Sequence, residues 1–180
     1  MRIISGEKRG AKLESLPGDD TRPTTDRVKE SLFNIIQWNV RGAKVLDLFG
    51  GSGGLGLEAL SRGADFACFT DANPAAVKII NSNIKKLGFE DRSKVISGDF
   101  KIALKGDVKY DLIFLDPPYA SDFIQQALDL ISSNNVLTEE GIIVCETTKD
   151  KQFDVKDFNI RKQVCYGITK LVFLEVGDDE

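Results

Sequence analysis

The chain has 180 residues, a net charge of −4 and no histidine. That length is one ordinary domain with room for a real core, and the missing imidazole excludes Ser-His-Asp and Cys-His catalysis, histidine zinc sites and histidine general bases. Chemistry is left to carboxylates, hydroxyls, aromatics, backbone groups or a cofactor. The three cysteines, Cys68, Cys145 and Cys165, lie far apart in apolar stretches. They suggest small buried thiols in a reducing compartment, with no metal site and no disulfide frame. No apolar run approaches the roughly 18 residues of a membrane helix, and the first residues hold no apolar signal core. A cytoplasmic protein with no metal is expected.

The charge is unevenly spread. From Met1 to Lys44 there are nine basic and six acidic side chains, a net +3, whereas Glu175 to Glu180 carries four acids and no base. A local basic surface can contact phosphate whatever the total charge.

In chain order, Arg2–Ser5 and Ala11–Leu16 read as a β-hairpin with a basic tip at Gly6-Glu7-Lys8-Arg9-Gly10, followed by a turn at Pro17-Gly18. The Thr and Asp residues of Thr21-Arg22-Pro23-Thr24-Thr25-Asp26 are natural caps for a helix with Val28, Leu32, Ile35 and Ile36 on one face. Strands and helices then alternate. Strands are predicted at Lys44–Leu48, Asp65–Thr70, Lys94–Ser97, Tyr110–Leu115 and Gly141–Glu146. Helices are predicted at Leu55–Arg62, after the Asn73 cap with Pro74 at the first position, and at Ser121–Ser132. Phe158–Cys165 and Ile168–Val176 flank Tyr166-Gly167 as an antiparallel hairpin. The fold class is therefore α/β: a doubly wound, mostly parallel sheet with a C-terminal hairpin. Ligands of such sheets bind beyond the carboxyl ends of the strands.

Two segments follow strands directly. The first, Asp47-Leu48-Phe49-Gly50-Gly51-Ser52-Gly53-Gly54-Leu55-Gly56, contains the G-x-G-x-x-G spacing that lets backbone approach a ligand at a helix N-terminus. Asp47 at the loop mouth would repel a pyrophosphate. It suits S-adenosylmethionine, which carries an ammonium and a sulfonium and no phosphate. Asp71, closing the second strand beside Ala72, could accept from ribose hydroxyls. Asp99 could accept from an adenine amine, with Phe100 packing on the ring; helix capping is the plain alternative for both carboxylates.

The second segment is Asp116-Pro117-Pro118-Tyr119. Two prolines hold the backbone extended and aim the Asp116 carboxylate and the Pro117 carbonyl at one point. Both are acceptors, and a nucleobase NH2 has two hydrogens to donate. Tyr119 offers a face for stacking the base. Acceptors on both hydrogens turn the nitrogen lone pair toward a methyl donor, and Asp116 stabilises the charge that develops. No cysteine lies near this loop, so methylation of a pyrimidine carbon is excluded.

With these motifs the chain resembles the bacterial small-subunit (16S) ribosomal RNA guanine-N2 methyltransferases of the RsmD type. The likeness begins with Met1-Arg2-Ile3-Ile4-Ser5-Gly6, is most specific in Thr21-Arg22-Pro23-Thr24-Thr25-Asp26-Arg27, and includes Asp47–Ala64 and Asp111–Tyr119. It implies a class I, Rossmann-like S-adenosylmethionine-dependent methyltransferase with a seven-stranded sheet. One domain would span 1–180: a basic hairpin extension at 1–20, a lead-in helix at 21–42 and a catalytic core at 43–180. Cofactor contacts are expected at Asp47, Phe49, Gly50, Gly51, Ser52, Gly53, Asp71, Ala72, Asp99 and Phe100, and target-base contacts at Asp116, Pro117, Pro118 and Tyr119. The RNA-facing set is Arg2, Lys8, Arg9, Lys12, Arg22, Thr24 and Arg27, with Arg22 and Thr24 near the active-site mouth. The implied partner is 16S ribosomal RNA in an assembling small subunit; a monomer is expected, although the sequence itself is silent on oligomeric state. Family members often have Glu where this chain has Asp71, and they are more basic than pI 5.0, so the N-terminal hairpin must carry more of the RNA contact. An adenine-N6 methyltransferase, a nicotinamide-dependent oxidoreductase using the same glycine loop and a silent RNA-binding module are the competing readings.

Overall fold

The computed structural model describes residues 1–18 and 25–178. Seven strands, β1 (Lys44–Asp47), β2 (Phe66–Asp71), β3 (Ser93–Ser97), β4 (Tyr110–Leu115), β5 (Leu137–Thr148), β6 (Phe158–Tyr166) and β7 (Thr169–Val176), form one sheet in the order β3-β2-β1-β4-β5-β7-β6. The first five are parallel; β7 runs antiparallel between β5 and β6. The chain thus winds outward from β1 to β3, returns to β4 beside β1, and closes with a hairpin folded back so that its second strand touches the parallel core. The switch of direction falls between β1 and β4, where an open α/β sheet forms its binding crevice.

Helices α1 (Thr25–Ile35), α2 (Gly54–Ser61) and α3 (Pro74–Leu87) cover one face, and α4 (Phe123–Asn134) with the 3₁₀ turn Phe100–Leu104 covers the other. Strand alternation sorts the core accordingly. Val45, Phe69, Phe114 and Val144 face the first layer; Leu46, Cys68, Ile113 and Cys145 face the second. The local signals are visible: Asn73 Oδ1 accepts from Ala75 N–H at 3.0 Å ahead of Pro74, and Gly88 ends α3 at φ 72°. Gly56 sits where a Cβ would stand 2.3 Å from Phe69 Cε1, so α2 can lie directly on β2 only with glycine there.

Two features differ from the sequence reading. The N-terminal hairpin narrows to one antiparallel bridge, Arg2 with Lys12. Other donors are drawn to α2: the N–H groups of Ile4 and Ser5 go to the Glu58 carboxylate, and those of Glu7 and Lys8 go to the Ser61 carbonyl and hydroxyl. The segment keeps cross-strand bonds from Ile3 N–H to the Ala11 carbonyl, Gly10 N–H to the Ile3 carbonyl and Leu13 N–H to the Met1 carbonyl, and is fastened to α2 as well. Cys165 is exposed, whereas Cys68 and Cys145 are buried. It lies on β6, the edge strand, most of whose residues from Asn159 to Gln163 face solvent.

Candidate active site

The carboxyl ends of β2, β1, β4 and β5 carry Asp71, Asp47, Asp116 and Glu146 in spatial order, and all four border one cavity of about 700 Å³. The glycine loop forms one side of it. The Asp116–Tyr119 segment and the β6–β7 turn, Tyr166 to Thr169, form the other. Val28, Lys29 and Leu32 of α1 and Met1 and Leu16 of the N-terminal segment close over it.

The glycine loop is shaped by a few strong contacts. Gly50 donates to the Thr70 carbonyl at 2.7 Å, which draws the loop against the end of β2. Gly51 and Gly53 have φ of 59° and 85°, and a Cβ on Gly51 would meet nothing within 4 Å, so its backbone is bare toward the cavity. Asp71 accepts from Gly51 N–H and Asn73 N–H, each at 2.9 Å. These bonds hold one carboxylate between the two loops, with lone pairs remaining for a ligand. Asn83, fully buried on α3, donates to the Ser52 and Glu14 carbonyls at 2.9 and 3.0 Å and accepts from Glu14 N–H. It joins the loop, α3 and the N-terminal segment.

Asp47 is 2 % exposed and accepts from Gly56 N–H at 3.0 Å. Burial pushes its carboxyl up to about 8; the Gly56 N–H opposes the rise, and the negative charges of Asp116 and Asp71 add to it. An ammonium brought beside Asp47 would favour the charged form. Binding of S-adenosylhomocysteine at pH 7 is therefore expected to expel a proton and to tighten as pH rises toward 8. The matching effect on the ligand-free protein has the opposite sense: folding holds a proton on Asp47 between 3.8 and about 8, so this group lowers stability as pH rises through that window. Calorimetry in buffers of different ionisation enthalpy reads the proton, and Asp47→Asn should abolish its release.

Asp99 caps the 3₁₀ turn by accepting from Lys101 N–H at 2.9 Å and still borders the cavity. Phe100 is packed with Phe49 and Phe123 at centroid separations of 5.0 and 5.3 Å. The three rings build one apolar wall at the expected adenine end. Asp116, Pro118 and Tyr119 line the cavity; Pro117 is buried outside the lining, as is Gly53, whose place Gly54 takes. Asp116 and Tyr119 are half-buried.

The expected RNA-facing residues separate. Arg2 pairs with Asp26 at 3.0 Å, and Arg27 is exposed on α1. Lys8 and Arg9 sit at the far end of α2 from the glycine loop, about 12 Å along an eight-residue helix. Exposed Lys12 accepts from Lys86 Nζ through its carbonyl, which adds α3 to the basic surface. Arg22 and Thr24 lie outside the described residues. The sequence reading missed Met1, Lys29, Asn83, Phe123, Glu146 and the Tyr166–Thr169 turn. Only Tyr166-Gly167 carried a local signal, and that signal was for a turn.

A family model described as conserved hypothetical protein 95 matches residues 1–175. The chain belongs to this, the RsmD family. It is 41% identical over 175 residues to the "Putative rRNA methyltransferase YlbH" of Bacillus subtilis, covering 94% of this chain and 95% of that one. It is 39% identical to the ribosomal RNA small subunit methyltransferase D of Haemophilus influenzae, over 84% of this chain and 80% of the relative. Among solved structures, "Putative methyltransferase yhhF from Escherichia coli" superposes with a TM-score of 0.87 at 30% identity, with 99% of each chain covered. The RsmD likeness thus spans the N-terminal segment and α1 as well as the cofactor sheet.

Proposed function

We propose that this RsmD-family methyltransferase transfers the methyl group of S-adenosylmethionine to the exocyclic N2 amine of one guanine in 16S ribosomal RNA, acting as a cytoplasmic monomer on an assembling small subunit. The observation that carries this reading is that Asp116-Pro117-Pro118-Tyr119 and the glycine loop meet in one cavity with a buried carboxylate, Asp47, at the loop mouth. The residues present fit the cofactor: bare Gly51 backbone, Asp47 for an ammonium, Asp71 for ribose hydroxyls, and the Phe49–Phe100–Phe123 wall for an adenine ring. An ammonium beside Asp47 draws its carboxyl into the charged form that the pair needs, whereas a pyrophosphate there would only hold the proton on it more firmly.

S-adenosylmethionine supplies an electrophilic methyl group on a positively charged sulfur that becomes neutral when the methyl leaves. The chain's own part is to hold the target amine. Asp116 accepts from the N2 hydrogens, so the nitrogen lone pair points out of the ring plane. As the new C–N bond forms, the positive charge on nitrogen develops beside the Asp116 carboxylate, and its proton then passes through that carboxylate to water. Tyr119 stacks on the base, which must be unstacked from its neighbours to enter. Positioning supplies most of the acceleration.

Specificity is expected to come from a preformed RNA or ribonucleoprotein shape. The basic N-terminal segment, with Lys86 against the Lys12 carbonyl, supplies phosphate contacts away from the cavity. Replacing Lys8, Arg9 and Lys12 together with Ala is expected to weaken RNA binding and to reduce the slope of log affinity against log salt by about 2 to 3. An unchanged slope would show that the RNA lies elsewhere. The reading itself is tested by offering labelled S-adenosylmethionine with 16S RNA, with small subunits lacking the modification, and with DNA. Label in the RNA or the subunit supports it, and label only in DNA overturns it.

A further inference from the structure

We propose that Glu146 is a specificity-determining residue that reads the N1–H of the target guanine; the inference rests on the guanine-N2 reading above and deepens it. β4 and β5 are parallel and in step, with Leu115 opposite Cys145. One residue further on stand Asp116 and Glu146, side by side at the ends of neighbouring strands about 4.8 Å apart. Phe114 and Val144, two residues before them, both face the α1–α3 layer, so the alternation turns Asp116 and Glu146 to that same side. Both border the cavity, and Glu146 is half-buried there. Its backbone is set by antiparallel pairing with Leu171 of β7, and the adjoining turn is braced by the Tyr166 hydroxyl bonded to Ser31 on α1 and by Lys149 N–H donating to the Ile168 carbonyl.

The Watson–Crick edge of guanine presents two adjacent donors, N2–H and N1–H. Adenine presents an acceptor at N1. An ionised carboxylate only accepts. With Asp116 on N2, the next carboxylate along the sheet meets N1–H of guanine, whereas against an adenine or a 2-aminopurine it would meet a lone pair, leaving two acceptors facing each other in a half-buried site. Asp116 thus holds an amine that several bases share, and Glu146 tells which base carries it.

2-Aminopurine separates the two roles, because it keeps the N2 amine and lacks the N1 hydrogen. The test uses 16S RNA joined by splinted ligation so that the labelled guanine is replaced by 2-aminopurine, and compares kcat/KM on the two RNAs. The wild-type protein is expected to prefer guanine by about 10- to 100-fold. Glu146→Gln, which keeps the size of the side chain, is expected to lose rate on guanine, keep its rate on 2-aminopurine, and bring the preference to within about threefold of unity. A variant that retains the wild-type preference, or that loses rate equally on both RNAs, would overturn the assignment. A wild-type protein that labels no guanine at all would instead overturn the guanine-N2 reading.

Discussion

Asp116→Ala is expected to lower methyl transfer by about 10³-fold while changing S-adenosylhomocysteine affinity by no more than about threefold. The asymmetry follows from the topology. Asp116 follows β4, whereas the residues proposed to hold the cofactor lie at the ends of β1 and β2 and in the 3₁₀ turn after β3. Removing the carboxylate takes away the acceptor that orients the amine and the charge that balances the developing ammonium. It leaves Asp47, Asp71 and the glycine loop in place. Asp116→Asn keeps a carbonyl acceptor without the charge and should fall between wild type and Asp116→Ala. Single-turnover rates and ligand titration separate the two effects; turnover unchanged in Asp116→Ala would remove the residue from the chemistry.

The largest expected effect on stability lies outside the site chemistry. Glu58, fully buried on α2, accepts from the N–H groups of Ile4 and Ser5 and pairs with Lys29 Nζ and Arg62 Nε, each at 3.2 Å. Lys29 also donates to the Arg2 carbonyl at 2.6 Å, and Arg62 lies over the Phe33 ring at 4.7 Å. One carboxylate therefore joins the N-terminal segment and α1, which close over the cavity, to α2. Burial pulls the Lys29 ammonium below its ordinary value, and Glu58 opposes that pull. Glu58→Ala leaves a buried cation and two backbone donors without their acceptor, at an expected cost of about 3–5 kcal/mol in denaturant unfolding. The penalty should shrink as pH rises, because a lysine whose folded value is depressed gives up its proton more readily in the folded state than in the unfolded one. Adding Lys29→Met to Glu58→Ala removes the unpaired buried cation and should recover about half of the loss. A cost under about 1 kcal/mol for Glu58→Ala would contradict the assigned role.

Legibility followed the range of the interaction. Asn73-Pro74, Gly88 and the alternation of strands and helices are local signals, and each element they marked is present within a few residues. The glycine loop and the Asp-Pro-Pro-Tyr segment were legible for the same reason, since both follow strands whose carboxyl ends the α/β rule places on one rim. What was hidden depends on contacts distant in sequence. Nothing near Glu58 says that it will capture the N–H groups of Ile4 and Ser5, 54 and 53 residues away, and that capture is what fastens the hairpin to α2. Asn83 reads as an ordinary helix residue until α3 brings it against Ser52 and Glu14. Cys165 looked apolar and buried because its neighbours do; its exposure follows from β7, not β6, being the strand laid against β5. Glu146 passed as a strand end because only the β4–β5 register puts it beside Asp116.

The methylated atom is identified most directly by digesting the RNA labelled from S-adenosylmethionine and identifying the labelled nucleoside. N2-methylguanosine is the predicted product. N6-methyladenosine would contradict the account, because the same Asp116 chemistry would then be acting on the base that the Glu146 assignment excludes.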